Sequence, residues 1–417
     1  MRAAAFVALV LVGCGGADDP CSGVAGTCKG FSEGASAEAV QKALIEIEPG
    51  GTIAFGEGTF DFQLDLSLTV DDVTIQGAGK DKTTLSFKQQ IDGAQGLLVT
   101  ANGFTLRDIG IEDTKGDAVK VLGGDTITFD SVRVEWTAGP NETNGSYGLY
   151  PVQCTHVLIQ NSVVKGASDS GVYVGQSDQI IVQGNDVEQN VAGIEIENST
   201  HADVHDNVAT ANTGGILVFN LPGLEVHNGA GTRVYNNDVH DNNTMNFAPA
   251  GNIVGLVPTG TGIAVLAAHQ VEIFGNQVHD HKSINVGVIS YVPTGIAVTD
   301  PMYDQYPTAL YIHDNTLAGT SDMPTGQLGA LLISGLGEIN PAGPFIVPDI
   351  AWDGVLDPAR VQQATGDYAD DDKLCIGNNG DADFINLEWP LGDATKPTTD
   401  LTPHACTHAP LPEVATW

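Results

Sequence analysis

The chain has 417 residues, with 52 Asp and Glu against 16 Lys and Arg, for a formal net charge of -36. That balance excludes nucleic acid as a partner, and it disfavours an acidic polysaccharide unless bound Ca²⁺ supplies the missing positive charge. It also suits a secreted protein that must stay dispersed.

The chain opens with Met1 and Arg2, then an apolar run over 3–12 that ends in Leu11-Val12-Gly13-Cys14. This resembles a bacterial lipoprotein signal, and the run is too short to span a bilayer. The resemblance implies a signal peptide over 1–13, a lipidated Cys14 and a tether to residue 35. Gly15, Gly16 and Ala17 follow with no acidic residue directly after the cysteine. The resemblance therefore implies export to the bacterial outer membrane or cell surface, with membrane contact through the lipid alone. In an oxidising compartment Cys21 pairs with Cys28 and Cys375 with Cys406, by proximity and by their places at the two ends. Cys154 is left over, and its strand context reads as an inert core thiol.

Residues 36–47 place Val40, Ala43, Leu44 and Ile47 on one helical face, with Ser36 as N-cap and Pro49-Gly50-Gly51 as the stop. Such a helix covers the open end of a solenoid. From Val73 to Leu317 the chain repeats one pattern of alternating β-branched and polar residues that ends in Asn, Asp or Gly. Aligned, the repeats put Leu106, Phe129, Ile159, Val182, Val204, Val234, Ile273 and Ile312 in register, at intervals of 23, 30, 23, 22, 30, 39 and 39 residues. A base period near 22 lengthened by insertions is the mark of a solenoid. The apolar residues recur at two, so the coil is β. A second strand reads DAVKV (117–121), GVYVG (171–175), GIEIE (193–197), GILVF (215–219), GIAVL (262–266) and GIAVT (295–299). Two or three strands per coil, stacked in parallel about 4.8 Å apart, make an all-β, right-handed parallel β-helix over 36–334. Asn185, Asn207, Asn237, Asn276 and Asn315 form one column, an asparagine ladder, and Asn190, Asn212 and Asn242 a second.

Insertions fall at 137–146, 221–231, 245–260, 283–294 and 300–308. Several are apolar, such as NIVGLVP (252–258), and either pack on the solenoid wall or form a ligand groove. Beyond Ser334 the periodicity decays, leaving C-terminal coils and a cap over 335–417, with strands near LCIGNNG and DFINLEW. Asp370, Asp371 and Asp372 read as a solvated acidic turn.

Two clusters carry possible chemistry. The second strand presents an outward column of Lys120, Tyr150, Tyr173, Glu195 and Leu217. Asp113, Asp117, Asp169 and Glu197 lie nearby and, with Glu195, are the substrate-binding carboxylates. Paired carboxylates suit glycoside hydrolysis or Ca²⁺ binding, and a Lys or Tyr base suits proton abstraction next to a sugar carboxylate. Lys120, Tyr150 and Tyr173 are the catalytic candidates. In the turns, His240 stacks on His279, Asp241 on Asp280 and Asn242 on His281, a possible metal or acid–base set.

On YGLYPVQC (147–154), GASDSGVYVGQS (166–177), NVAGIEIENS (190–199) and NTGGILVFNLP (212–222), the chain resembles the pectin-lyase-like β-helix superfamily. Within it, the chain resembles a family of bacterial parallel β-helix repeat lipoproteins. The resemblance implies the fold, the export route and carbohydrate chemistry by analogy: polysaccharide binding, and a lyase or epimerase activity if the protein is an enzyme. It also shows departures. Epimerases of this fold carry Asp-Pro-His-Asp after a Tyr-Gly, whereas Tyr147-Gly148 leads here into Leu149-Tyr150-Pro151-Val152. The rival expectation is a non-catalytic envelope scaffold that holds a partner protein with its apolar loops.

Overall fold

The structure is a computed structural model that describes residues 19–319, 321–389 and 397–417. The proposed signal peptide (1–13) and Cys14 lie outside the described residues. Among those residues no helix is long and apolar enough to cross a membrane.

The molecule is an all-β solenoid of parallel strands. Eleven strands, from Leu66–Leu68 to Phe384–Asn386, form one sheet, termed the front sheet. Twenty others wrap the remaining two sides, joined at the corner because Thr105–Glu112 and Asp125–Glu135 run through it unbroken. The eight aligned apolar positions pair from Leu106 with Phe129 through to Ile273 with Ile312. Each is at most 1% exposed, so the interior is a column of stacked Val, Ile, Leu and Phe.

The corners follow from local backbone chemistry. Gly184, Asp206, Asn236, Gly275, Asp314 and Asn378 have φ of 64°, 54°, 54°, 66°, 54° and 55°. Only Gly, Asn and Asp enter that left-handed region cheaply. Each directly precedes a ladder asparagine. Asn207 shows the pattern: its amide nitrogen donates to Val182 O at 2.9 Å and to Asn237 Oδ1 at 3.0 Å, and its own Oδ1 accepts from Asn185 N and Nδ2, both at 3.0 Å. Ser162 joins this ladder at one end and Asn379 at the other. In the second ladder His281 stands where a fourth asparagine would, its Nε2 3.1 Å from Asn242 Nδ2. Since that nitrogen accepts and Nδ1 faces Asn285 Oδ1 at 3.0 Å, the ring is neutral, and burial holds its pKa down at about 4.

Both ends are capped. Helix α1 (Ala37–Glu46) takes its N-cap bond from Ala39 N to Ser36 Oγ and buries Val40, Ala43 and Leu44 over the first coil. At the far end His404 packs edge-on against Trp352 and tilted against Phe384, and its Nδ1 donates to Leu374 O. The disulfides Cys21–Cys28 and Cys375–Cys406 are present, and Cys154 is a buried free thiol.

Three expectations need correction. The segment read as a tether contains a strand, Cys28–Phe31, that pairs with Thr52–Phe55 and begins the solenoid. The boundary at 334 falls inside a helix, α2 (Gly326–Ile339), and the strands resume afterwards at Ile350–Trp352, Leu374–Gly377 and Phe384–Asn386. GIAVT (295–299) is not a strand, and Ile296 is 51% exposed. Its place belongs to Ile284–Ile289, with Val286 opposite Ile263. Coils without an insertion pass this corner in a few residues, from Lys165 to Ser170, Glu188 to Ala192 and Thr210 to Gly214, and Ile284 follows His279 at the same short spacing.

Replacing Asn207 by Ala strands the backbone N–H of Asn185 and removes the side-chain donor to the carbonyl of Val182. Unfolding free energy should fall by about 2–4 kcal/mol in urea titrations. An unchanged midpoint would show that the ladder is dispensable.

Candidate functional site

Lys120 pairs with Tyr150, Tyr173 with Glu195, and Glu195 with Leu217 along the front sheet. Leu149 opposite Val172 brings Tyr150 beside Tyr173, with ring centroids 4.9 Å apart. The expected column therefore exists, but outward does not mean exposed. Tyr173 is 4%, Glu195 1% and Leu217 0% exposed. Insertion 245–260 folds over the lower coils, where Val254 and Val257 bury against Leu217, Phe219 and Ala264. This insertion packs on the wall through those valines, while Met245, Ile296 and Met302, in and beside the insertions, stay exposed.

Lys120, Tyr147 and Tyr150 stay half-buried at the upper edge. Tyr147, which sequence reasoning left out, lies 4.5 Å from Tyr150 and 4.6 Å from Tyr173, centroid to centroid. Its place in Tyr147-Gly148-Leu149-Tyr150 was the available signal. Lys120 Nζ sits 4.6 Å above the Tyr150 ring, a cation–π contact.

Beneath the rings lie three buried carboxyls. Asp169 accepts from Ser170 Oγ at 3.0 Å, Asn252 Nδ2 at 2.9 Å and the Tyr147 hydroxyl at 3.5 Å. The Tyr173 hydroxyl donates to Glu197 Oε1 at 2.6 Å. Glu195 touches Ser170 Oγ through Oε2, while its Oε1 has no hydrogen-bond partner. Ser170 has one hydroxyl proton and two carboxyl neighbours, so a carboxyl must supply the other. Burial, with the charges of Glu197 and Asp169, holds Glu195 protonated well above its ordinary range and assigns it that proton. Glu195 thus donates to Ser170, and Ser170 to Asp169.

Burial pushes Asp169 up to about 6 against its three donors, and Glu197 up to about 7 against Tyr173. Burial also pushes Asp117 up to about 6, with Lys120 opposing. The Tyr150 phenol rises to about 12 through burial and the charge of Asp117. Tyr173 rises well above its usual range and its proton is committed to Glu197, so the expectation that it serves as a base is overturned.

Other candidates fall elsewhere. Asp113 binds Thr137 N at 2.7 Å and its hydroxyl at 2.8 Å, which anchors loop 137–146 rather than a ligand. His240 and His279 do stack, 5.2 Å apart and 8° from parallel. Each ring binds the aspartate next to it, Asp241 at 3.2 Å and Asp280 at 2.8 Å, instead of converging on a centre. Among the described residues no three His, Cys, Asp or Glu are grouped to hold a metal ion, which corrects the reading of these four as ligands.

Residues 95–222 match the family described as a right handed beta helix region. No curated protein matches the chain. Among solved structures, the AlgE4 A-module of the Azotobacter vinelandii mannuronan C-5 epimerase is similar at 19% identity and TM-score 0.52, over 82% of this chain and 88% of that one. Endopolygalacturonase I from Stereum purpureum is 13% identical over 71% and 97%, with TM-score 0.46. An alginate lyase from Paenibacillus sp. str. FPU-7 is 16% identical over 69% and 94%, with TM-score 0.36. The chain has the right-handed parallel β-helix fold, as its resemblance to pectin-lyase-like proteins implied.

Asp117, Asp169, Glu195 and Glu197 keep protons that the unfolded chain releases near pH 4. Their contribution to stability is therefore complete below about pH 4. That of Asp117, Asp169 and Glu197 is lost as pH rises through about 6 to 7, and that of Glu195, raised furthest by burial, declines as pH rises well above the ordinary carboxyl range. Denaturation at pH 4.5, 6 and 8 should show that decline on top of the global charge effect. Glu195→Gln should flatten it, gaining about 1–3 kcal/mol over wild type at pH 8. Equal pH slopes for the two proteins would refute a protonated Glu195.

Proposed function

We propose that this chain is an exported lipoprotein that binds a polysaccharide along the upper front sheet. The observation that carries the reading is the cluster of Tyr147, Tyr150 and Tyr173 with Lys120 over Tyr150, set above carboxyls that face the same side. A tyrosine pairs an apolar ring face with a hydroxyl, which suits a sugar ring bearing hydroxyls on its rim. Asp117, half-buried beside the rings, adds a further hydrogen-bonding partner. The fold shared with a mannuronan C-5 epimerase supports the choice of substrate class, and the opening of the chain supports export and lipidation at Cys14.

Binding is better supported than bond cleavage. Tyr173 is tied to Glu197, and Tyr150 carries its proton at neutral pH. A lyase or epimerase step would draw its base from Lys120 or from the carboxylate of Asp117, which burial raises to about 6. A neutral glycan fits the acidic surroundings; a polyuronate would need Ca²⁺ between it and the carboxylates.

The test is a polysaccharide array with and without Ca²⁺, read for binding and for new unsaturated or reducing ends. Tyr150→Ala and Lys120→Ala should each weaken glycan binding by about tenfold. Product formation abolished by Lys120→Ala would add catalysis to the reading. Absence of binding to any glycan, or binding untouched by both substitutions, would overturn it.

A further inference from the structure

Away from the front sheet, one outward column runs Ile181, Asp203, Arg233, Glu272, Tyr311, Cys375 in successive coils. Outward positions of this kind normally face water, yet Asp203 is 2% and Glu272 4% exposed. What covers them is the segment 405–417, which leaves the Cys375–Cys406 disulfide and lies along the solenoid axis without helix or strand.

Its contacts recur at every third residue. His408 Nε2 donates to Lys373 O at 2.8 Å, Leu411 N to Glu272 Oε2 at 2.9 Å, and Val414 N to Asp203 Oδ2 at 3.1 Å. The Trp417 ring lies 5.0 Å from the His156 ring. Lys373, Glu272, Asp203 and His156 are spaced two coils apart, because each successive pair is separated by one intervening strand. Two coil rises span about 9.6 Å, and one three-residue turn of polyproline II spans about 9.3 Å. The two repeats are commensurate, and Pro410 and Pro412 flank Leu411 to favour that conformation.

Alongside runs a stack of rings, His205 on Tyr235 at 4.6 Å, Tyr235 on Phe274 at 4.9 Å and Phe274 on His313 at 5.3 Å. Arg233 lies over Tyr235 and pairs with Asp203 at 3.1 Å. Asp203 Oδ1 and Arg233 Nε are buried with no hydrogen-bond partner, so polar capacity remains beneath the segment.

We infer that this face is a binding groove for a polypeptide in polyproline II conformation, filled in this chain by its own residues 407–417. The ligand it fits is an extended, proline-containing segment that offers two backbone N–H groups three residues apart and a small apolar side chain where Val414 is buried. The groove is separate from the front-sheet site and does not depend on the glycan reading.

The experiment uses the full chain carrying Leu411→Pro and Val414→Pro, which deletes both N–H donors and leaves the groove untouched. Hydrogen exchange followed by mass spectrometry should show 407–417 protected in wild type and released in the variant. A fluorescent synthetic peptide of sequence 407–417 should then bind the variant and bind wild type about tenfold or more weakly, since the wild-type groove is already filled through both backbone N–H bonds. A proline-free scramble should not compete. A released segment whose groove still fails to take up the peptide would overturn the inference. So would a segment that exchanges freely in wild type or stays protected in the variant.

Discussion

The rest of the structure depends on in-register parallel stacking with a side chain at each corner that can bond both to the coil before and to the coil after. Backbone groups at a bend have no strand partner, and leaving them buried and unpaired costs about 1–3 kcal/mol each. Asparagine solves this because its amide presents a donor and an acceptor along the solenoid axis, and the residue before it turns the chain through a left-handed conformation. Once those corners are set, the hydrophobic column, the flat outer faces and the spacing of every surface feature follow at one coil rise.

That constraint explains what could be read from the sequence. The inward positions from Leu106 to Ile312 and both asparagine columns are repeated many times, so each copy corroborates the others. Single-occurrence features lacked that support. The strand at Cys28–Phe31 is too short to show a period, helix α2 interrupts the coils with an apolar pattern like theirs, and GIAVT imitates a strand whose place was taken by a nearer segment.

At the candidate site, register was legible and environment was not. The pairing of Lys120 with Tyr150 and of Tyr173 with Glu195 follows from aligning repeats. The burial of Glu195 depends on a loop more than fifty residues away in sequence, whose Asn252 reaches Asp169. Local alternation reports which side of a sheet a residue faces, and nothing in it records what later folds across that side. The same blindness applies to residues 405–417, which turn an ordinary charged column into a covered groove.

The ladder also separates two kinds of inheritance within one repeat. Asn185, Asn207 and Asn237 make the same bonds whichever coil they belong to. Removing the coil 186–207 would let Asn185 meet Asn237 and reseal the corner. The front face has no such interchangeability, since that excision takes Glu195 and Glu197 with it. Whole coils are therefore the units by which this molecule could lengthen or shorten while keeping its architecture, and the coils from Asp117 to Glu197 are those whose loss would remove the cluster of rings and carboxyls from its surface.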